Sequence, residues 1–195
     1  MARPRVLLNC ACSLDGRVAA PDGSPLLLSG PEDLRRVHEM RADCDAILVG
    51  VGTVLADDPS LRVKPHLAQG PDPLRVVLDT HGRTPADARA RQGPEPALIL
   101  TADDVATDAA GRLDLAAVLD LLAGRGIGSA MVEGGPTVLA SFLKAGLVDR
   151  WTLYQAPMLV GGGPSLWPTP GEAPRLNVTG RENLGEGVLW TFQMA

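Results

Sequence analysis

The chain has 195 residues, 45% of them hydrophobic, and carries a formal net charge of −5. That is enough apolar material for one compact domain spanning 1–195, and the acidic balance excludes a general basic surface for nucleic acid or anionic lipid. An anionic ligand has to be met locally, by a few Arg side chains or by Lys64 and Lys144.

Arg5 to Ser13 is apolar almost throughout and reads as a central strand, broken by Ser13-Leu14-Asp15-Gly16-Arg17, where Asp-Gly favours a tight turn. Pro21 to Pro25 is a loop. A helix follows: Ser29 with Glu32 three residues on is a capping-box pattern, and Leu34, Val37 and Met40 or Arg41 give it one inward face. Asp45 to Gly50 is the second strand, and Val51 to Ala56 turns into a brief helix ended by Asp57-Asp58-Pro59. Leu74 to Asp79 and Ala97 to Thr101 are further strands, followed by a helix from about Asp114 to Ala123 closed by Gly124. Then come a buried strand, Ile127 to Val132, and a helix, Pro136 to Lys144. This alternation predicts an α/β fold of three layers, a mostly parallel mixed sheet flanked by helices. Trp151 to Ala156, Leu176 to Val178 and Val188 to Phe192 follow without helices, which predicts antiparallel strands at the C-terminal edge.

The first apolar run, Val6 to Leu8, is too short for a secretory signal, and no stretch approaches the roughly 18 apolar residues of a membrane span. Cys10, Cys12 and Cys44 are odd in number and form no Cys-x-x-Cys pair, which fits reduced thiols in a cytoplasmic protein.

Glu133, Gly134 and Gly135 lie between the strand ending at Val132 and the helix starting at Pro136. Two glycines let the backbone turn and a ligand approach, and Pro136 pre-sets the first helical turn with free N–H groups pointing outward, which makes an anion site. An ordinary strand-to-helix turn is the plainer alternative. Glu133 shifts the balance, because an acid at the end of a buried strand is costly without a polar partner such as a substrate amine. Ligands of parallel sheets sit beyond the carboxyl ends of the strands. This junction and three other clusters, Ser13 to Arg17, Gly50 to Asp58 and Asp79 to Arg83, are therefore expected to converge on one nucleotide-binding crevice.

Other chemistries drop out. Gly50-x-Gly52 lacks the third glycine of the dinucleotide fingerprint, and no Walker phosphate loop occurs. His38, His66 and His81 are scattered and Cys10-Ala11-Cys12 would alternate on a strand, so no metal site is expected. The single Tyr154 has Met158 four residues on, where short-chain dehydrogenases need Lys, and no Gly-x-Ser-x-Gly elbow is present.

Four segments together resemble the reductase domain of riboflavin biosynthesis, a family similar in fold to dihydrofolate reductase. They are SLDGRVA at 13–19, RADCDAILVGVGTVLADDPSLRVK at 41–64, LRVVLDTHGRTP at 74–85 and VEGGPTVLASFLKAGLVDRWTLYQAPMLVGG at 132–162. The match runs over nearly the whole chain, and GTVLADDP followed by VEGGPT is specific to the family. Bifunctional bacterial members add a zinc deaminase with His-x-Glu and Pro-Cys-x-x-Cys; neither motif occurs here, so the resemblance implies a free-standing reductase. It implies reduction, by NADPH, of the ribosyl group of a (di)aminopyrimidine ribosylamine 5′-phosphate to ribityl.

Carried over by position, Ala11, Thr53, Asp57 and Gly135 to Ser141, Pro136 and Thr137 included, line the cofactor. Thr80 lies near its ribose phosphate end, with Arg83 there to hold a 2′-phosphate. Gly134 with Gly135 suits the pyrophosphate, and Gly161 and Gly162 match a glycine turn that also touches cofactor. Arg41, Leu61, Lys64 and Glu133 meet the substrate, as does Ser24; Arg41 and Lys64 are cations suited to its phosphate. Asn9, polar within an apolar strand where the family often carries Lys or Arg, contacts substrate or satisfies a backbone group.

In the implied reaction the sugar opens so that C1′ is an aldehyde or imine, the nicotinamide supplies hydride, and Asp57 and Glu133 are the carboxylates placed to relay a proton. A cap or turn role is the alternative for Asp57. The resemblance also implies a homodimer, for which Gly146 to Trp151 offers apolar residues near an edge strand. Two further readings stay open: a dihydrofolate-reductase-like enzyme acting on another pteridine or pyrimidine, and a non-catalytic NADPH-binding protein.

Overall fold

The structure, a computed structural model, describes residues 2–168 and 174–194. Strand β1 (Arg5–Ser13) lies between β5 (Ser129–Val132) and β6 (Arg150–Ala156), parallel to both, so that Leu8 pairs with Val132 on one side and Trp151 on the other. Beyond β5 the sheet continues, still parallel, through β2 (Ala46–Gly50), β3 (Leu74–Leu78) and β4 (Leu98–Leu100). On the other side β8 (Gly187–Met194) runs antiparallel to β6, and β7 (Leu176–Leu184) antiparallel to β8. The eight-stranded order is β4-β3-β2-β5-β1-β6-β8-β7.

Apolar residues on both faces of these strands bury two layers of helix. On β2, Ala46 and Leu48 join Val6, Leu8 and Val132 beneath helices α3 (Leu115–Gly124) and α4 (Pro136–Lys144), which contribute Val118, Leu122, Leu139 and Phe142. Ile47 and Val49, one residue out of phase, face the opposite layer with Val51 and Val54 of α2 (Val51–Asp57). A sheet buried on both faces gives the apolar runs seen in the sequence. Asp114 caps α3 by accepting from the N–H groups of Ala116 and Ala117.

Helix α1 (Pro31–Ala42) departs from expectation. Its N-cap is Gly30, without a side-chain cap bond, and Pro31 opens the first turn; the Ser29 hydroxyl donates to Asp33 instead of capping. Its buried residues are Asp33 and His38, whereas Leu34 is 36% exposed. The apolar stripe of Leu34 and Val37 therefore faces a cleft, and the side seated on the protein is polar.

The C-terminal strands also differ in extent. β7 runs nine residues rather than three; its mostly exposed residues carry no apolar alternation, and its partner β8 places it. Because β8 covers β6, Trp151 is only 8% exposed and the Gly146 to Trp151 segment is not beside a sheet edge; among the described residues the outer strands are β4 and β7. No helix among the described residues is long and apolar enough to cross a membrane.

Candidate active site

A cleft of about 1040 Å³ opens along the carboxyl ends of the central strands. Its floor is Asn9, Cys10 and Ala11 of β1; Gly50 to Thr53 come from the β2–α2 junction, Thr80 and Arg83 from the turn after β3, and Glu133 to Val138 from the β5–α4 junction. α1 supplies Leu34 and Val37 as an apolar wall.

The β5–α4 junction depends on close packing. Val138 sits between two strand ends, and a Cβ placed on Gly50 or Gly134 would come within 2.7 Å of it. Only glycine lets α4 approach both strands, which brings its N-terminus into the cleft. One of the N–H groups there already has a partner: Gly135 donates to the Thr53 hydroxyl, 3.0 Å away. Thr53 thus ties the two junctions together and holds the N-terminal end of α4 against α2.

Glu133 is not waiting for a substrate amine as its only partner. Arg41 donates to both of its oxygens, Nε to Oε1 at 3.2 Å and Nη2 to Oε2 at 2.5 Å, with the two side chains 13% and 12% exposed. The third Arg41 nitrogen donates to the Arg62 carbonyl. Such a fork holds the Glu133 carboxylate in one orientation. Asp57, which also lines the cleft, differs: desolvation raises its carboxyl above its ordinary value, and no ion pair holds it among the described residues.

Lys64 is exposed and lies outside the cleft lining, as does Arg41. The Lys64 N–H donates to Nδ1 of His38, which fixes the chain beside α1. Burial, reinforced by the charges of Arg41, Lys64 and His66, pushes His38 down to about 4. A histidine that accepts a hydrogen bond must be neutral there, while in the unfolded chain it takes a proton near 6.5. Its contribution is therefore complete above about pH 6.5 and is lost as pH falls toward about 4, on the order of 2 kcal/mol. Chemical denaturation of His38→Gln between these limits is expected to give a shallower pH dependence than the parent; an identical slope refutes the assignment.

Other expected residues lie apart from the cleft lining. Leu61 is 1% exposed with φ 56°, so its side chain belongs to the core and only its main chain is left for a ligand. Ser24 is exposed and donates to Asp22, although its neighbours Gly23 and Pro25 line the cleft. Gly161 and Gly162 are outside it. The Ser13 to Arg17 turn does not line it either: Asp15 accepts from the N–H groups of Val160 and Gly161, which with the Ser13 hydroxyl hold its carboxyl at about 2. Arg17 donates to the Gly163 carbonyl. That turn clasps the glycine loop.

The sequence did not point to Arg112, which donates to Ser141 and Asp108 at the far end of the cleft. It comes from the irregular stretch before α3, where no periodicity or motif marks it. The three thiols are unpaired, and burial pushes Cys10 up to about 12 and Cys12 and Cys44 up to about 11, so they stay protonated and unreactive.

Residues 4–190 match the model of the RibD C-terminal domain. The chain is 41% identical, over 96% of its length and 96% of the relative's, to the 2,5-diamino-6-ribosylamino-4(3H)-pyrimidinone 5′-phosphate reductase of Methanothermobacter thermautotrophicus. Among solved structures, RibD of Acinetobacter baumannii superposes with a TM-score of 0.85 at 27% identity, over 99% of this chain and 58% of that one. Dihydrofolate reductase from Enterococcus faecalis, at 13% identity and a TM-score of 0.59 over 97% of this chain and 96% of that one, shares the fold.

Proposed function

The chain belongs to the RibD C-terminal domain family, and from that membership we propose that it reduces the ribosylamino group of a pyrimidine 5′-phosphate to ribitylamino, with NADPH as cofactor, in the cytoplasm as a homodimer. The observation that carries the reading is the cleft itself. It joins a helix N-terminus suited to a pyrophosphate, a paired carboxylate and a second carboxylate around a space of about 1040 Å³.

The donor set fits such a cofactor. Gly134, Gly135, Pro136 and Thr137 would hold its pyrophosphate beside Thr53, Ala11 would line the cofactor, and Thr80 and Arg83 would lie toward the ribose phosphate. When bound, the nicotinamide supplies the hydride that reduces C1′ of the opened sugar. Glu133, oriented by Arg41, anchors the substrate amine and positions C1′. Asp57, whose carboxyl is raised by desolvation, is the better group to hold and deliver a proton. Arg41, Lys64, Ser24 and the Leu61 main chain lie outside the cleft lining, and their assignment to the substrate, with the two cations taking its phosphate, rests on their motifs, as does that of Gly161 and Gly162 to the cofactor.

The deciding assay follows NADPH oxidation with the diaminopyrimidine ribosylamine phosphate and its deaminated counterpart side by side. Turnover of one or both is expected; cofactor binding with no turnover of either returns the protein to the non-catalytic reading.

NADPH is expected to be preferred over NADH, and Arg83→Ala to cut that preference by roughly tenfold to a hundredfold, the worth of one charge-assisted hydrogen bond. Equal kcat/KM for the two cofactors in the parent protein sinks the assignment. The dimer reading rests on β7, whose outer side is unpaired among the described residues. Sedimentation at micromolar concentration is expected to give twice the 20.4 kDa chain mass, and a monomer contradicts it.

A further inference from the structure

Below the cleft floor a buried polar chain runs from α1 to β6. Asp33, 1% exposed, accepts from the Ser29 hydroxyl and from Nε of Arg36 at 2.8 Å. Arg36 Nη2 then donates to Oδ1 of Asn9 at 2.8 Å, and the hydroxyl of Thr152 donates to the same oxygen at 2.9 Å. Nothing in the reaction outlined above uses Asp33 or Arg36. A charged pair this deep is costly unless its hydrogen bonds are satisfied.

A guanidinium only donates, so the Asn9 atom facing it at 2.8 Å has to be the carbonyl oxygen; the opposite rotamer would set two donors against each other. The amide sense of Asn9 is therefore fixed by Arg36. Asn9 lines the cleft, and its Nδ2 has no partner among the described residues.

We propose that Arg36, itself held by Asp33, is a positioning residue that locks Asn9 with its amino group toward the cleft, so that the floor selects a heterocycle edge presenting a hydrogen-bond acceptor. This rests on the reading of Asn9 as a substrate contact. The ligand chemistry selected is a carbonyl oxygen or an unprotonated ring nitrogen; an amino group in the same place would leave two donors opposed. Asn9 free to flip would accept either.

The test compares steady-state kinetics of the pyrimidine ribosylamine phosphate in the parent, in Asn9→Ala, in Asp33→Asn/Arg36→Met, and in all three changes combined. The paired change removes guanidinium and carboxylate together and leaves no lone buried charge. Asn9→Ala and the paired variant are each expected to raise KM about tenfold with kcat changed far less, and the combination to cost little more than either. The dissociation constant for NADPH, read by fluorescence, is expected to stay at the parental value. If Asn9→Ala leaves KM unchanged, the substrate contact is wrong. If Asn9→Ala raises KM while the folded paired variant keeps the parental value, the contact stands and the positioning role is overturned. Asp33→Asn/Arg36→Gln keeps polar side chains in both places but can face Asn9 with a donor or an acceptor, and serves where the paired variant does not fold. A parental KM in it overturns the proposal equally.

Discussion

Arg41→Ala is expected to lower kcat/KM by at least a hundredfold and to destabilise the fold by about 3 kcal/mol, the cost of leaving one member of a mostly buried pair without its partner. Two losses combine. The first is the contact to substrate phosphate, worth roughly tenfold to a hundredfold. The second is the fork that holds Glu133, whose carboxylate would be left mostly buried without its partner. Lys64→Ala removes only the first, because the Lys64 main chain, not its ammonium, is what His38 holds; about a tenfold loss is expected. Arg41→Ala/Glu133→Gln separates the two effects. Without an orphaned charge it is expected to regain most of the stability and none of the activity. Kinetics with phosphorylated and dephosphorylated substrate, together with thermal melts, check all of this. If the Arg41 and Lys64 variants discriminate between the two substrates as well as the parent does, these side chains do not bind the phosphate.

Gly134→Ala is expected to weaken cofactor binding by on the order of a hundredfold while the protein stays folded. A Cβ at this position lands 2.7 Å from the Cβ and 2.8 Å from the Cγ1 of Val138, atoms fixed to the helix rather than at the end of a flexible chain. Relief requires the first turn of α4 to move outward by several tenths of an ångström or more. That movement breaks the Gly135 to Thr53 hydrogen bond and draws the helix N-terminus away from the pyrophosphate. Shrinking the obstacle tests the steric account: Gly134→Ala/Val138→Ala is expected to recover much of the affinity. Titration of NADPH against the three proteins reads it directly, and a double variant as weak as the single one shows that the clash is not the cause.

How far the sequence revealed the protein depended on where the determining physics was local. α4 falls at Pro136–Lys144 as expected, because Gly-Gly-Pro is a start signal and the apolar spacing that follows is helical. β1 likewise matches, since a strand buried on both faces is apolar nearly throughout. α1 misled for a physical reason: Leu34 and Val37 satisfy the rule for a core-facing stripe, and a ligand cleft lined with apolar groups satisfies it equally. The Glu133 partner was not legible either. Need for a counter-group follows from burial at a strand end, but that Arg41, 92 residues earlier, supplies it depends on how α1 lies across the sheet. The length of β7 was invisible because hydrogen bonds to β8, not side-chain burial, define it.

The polar seating of α1 affects how the cleft keeps its shape. Apolar contacts are indifferent to direction, so a helix resting on a greasy stripe can slide or roll by fractions of an ångström at little cost. The hydrogen bonds from Arg36 to Asn9 and from the Lys64 N–H to His38 have narrow angular tolerance and work like the teeth of a key. The wall formed by Leu34 and Val37 is thus keyed to one register against β1 and the 61–64 segment. The width of the cleft is set on the far side of the helix from the ligand, by groups that need never touch it.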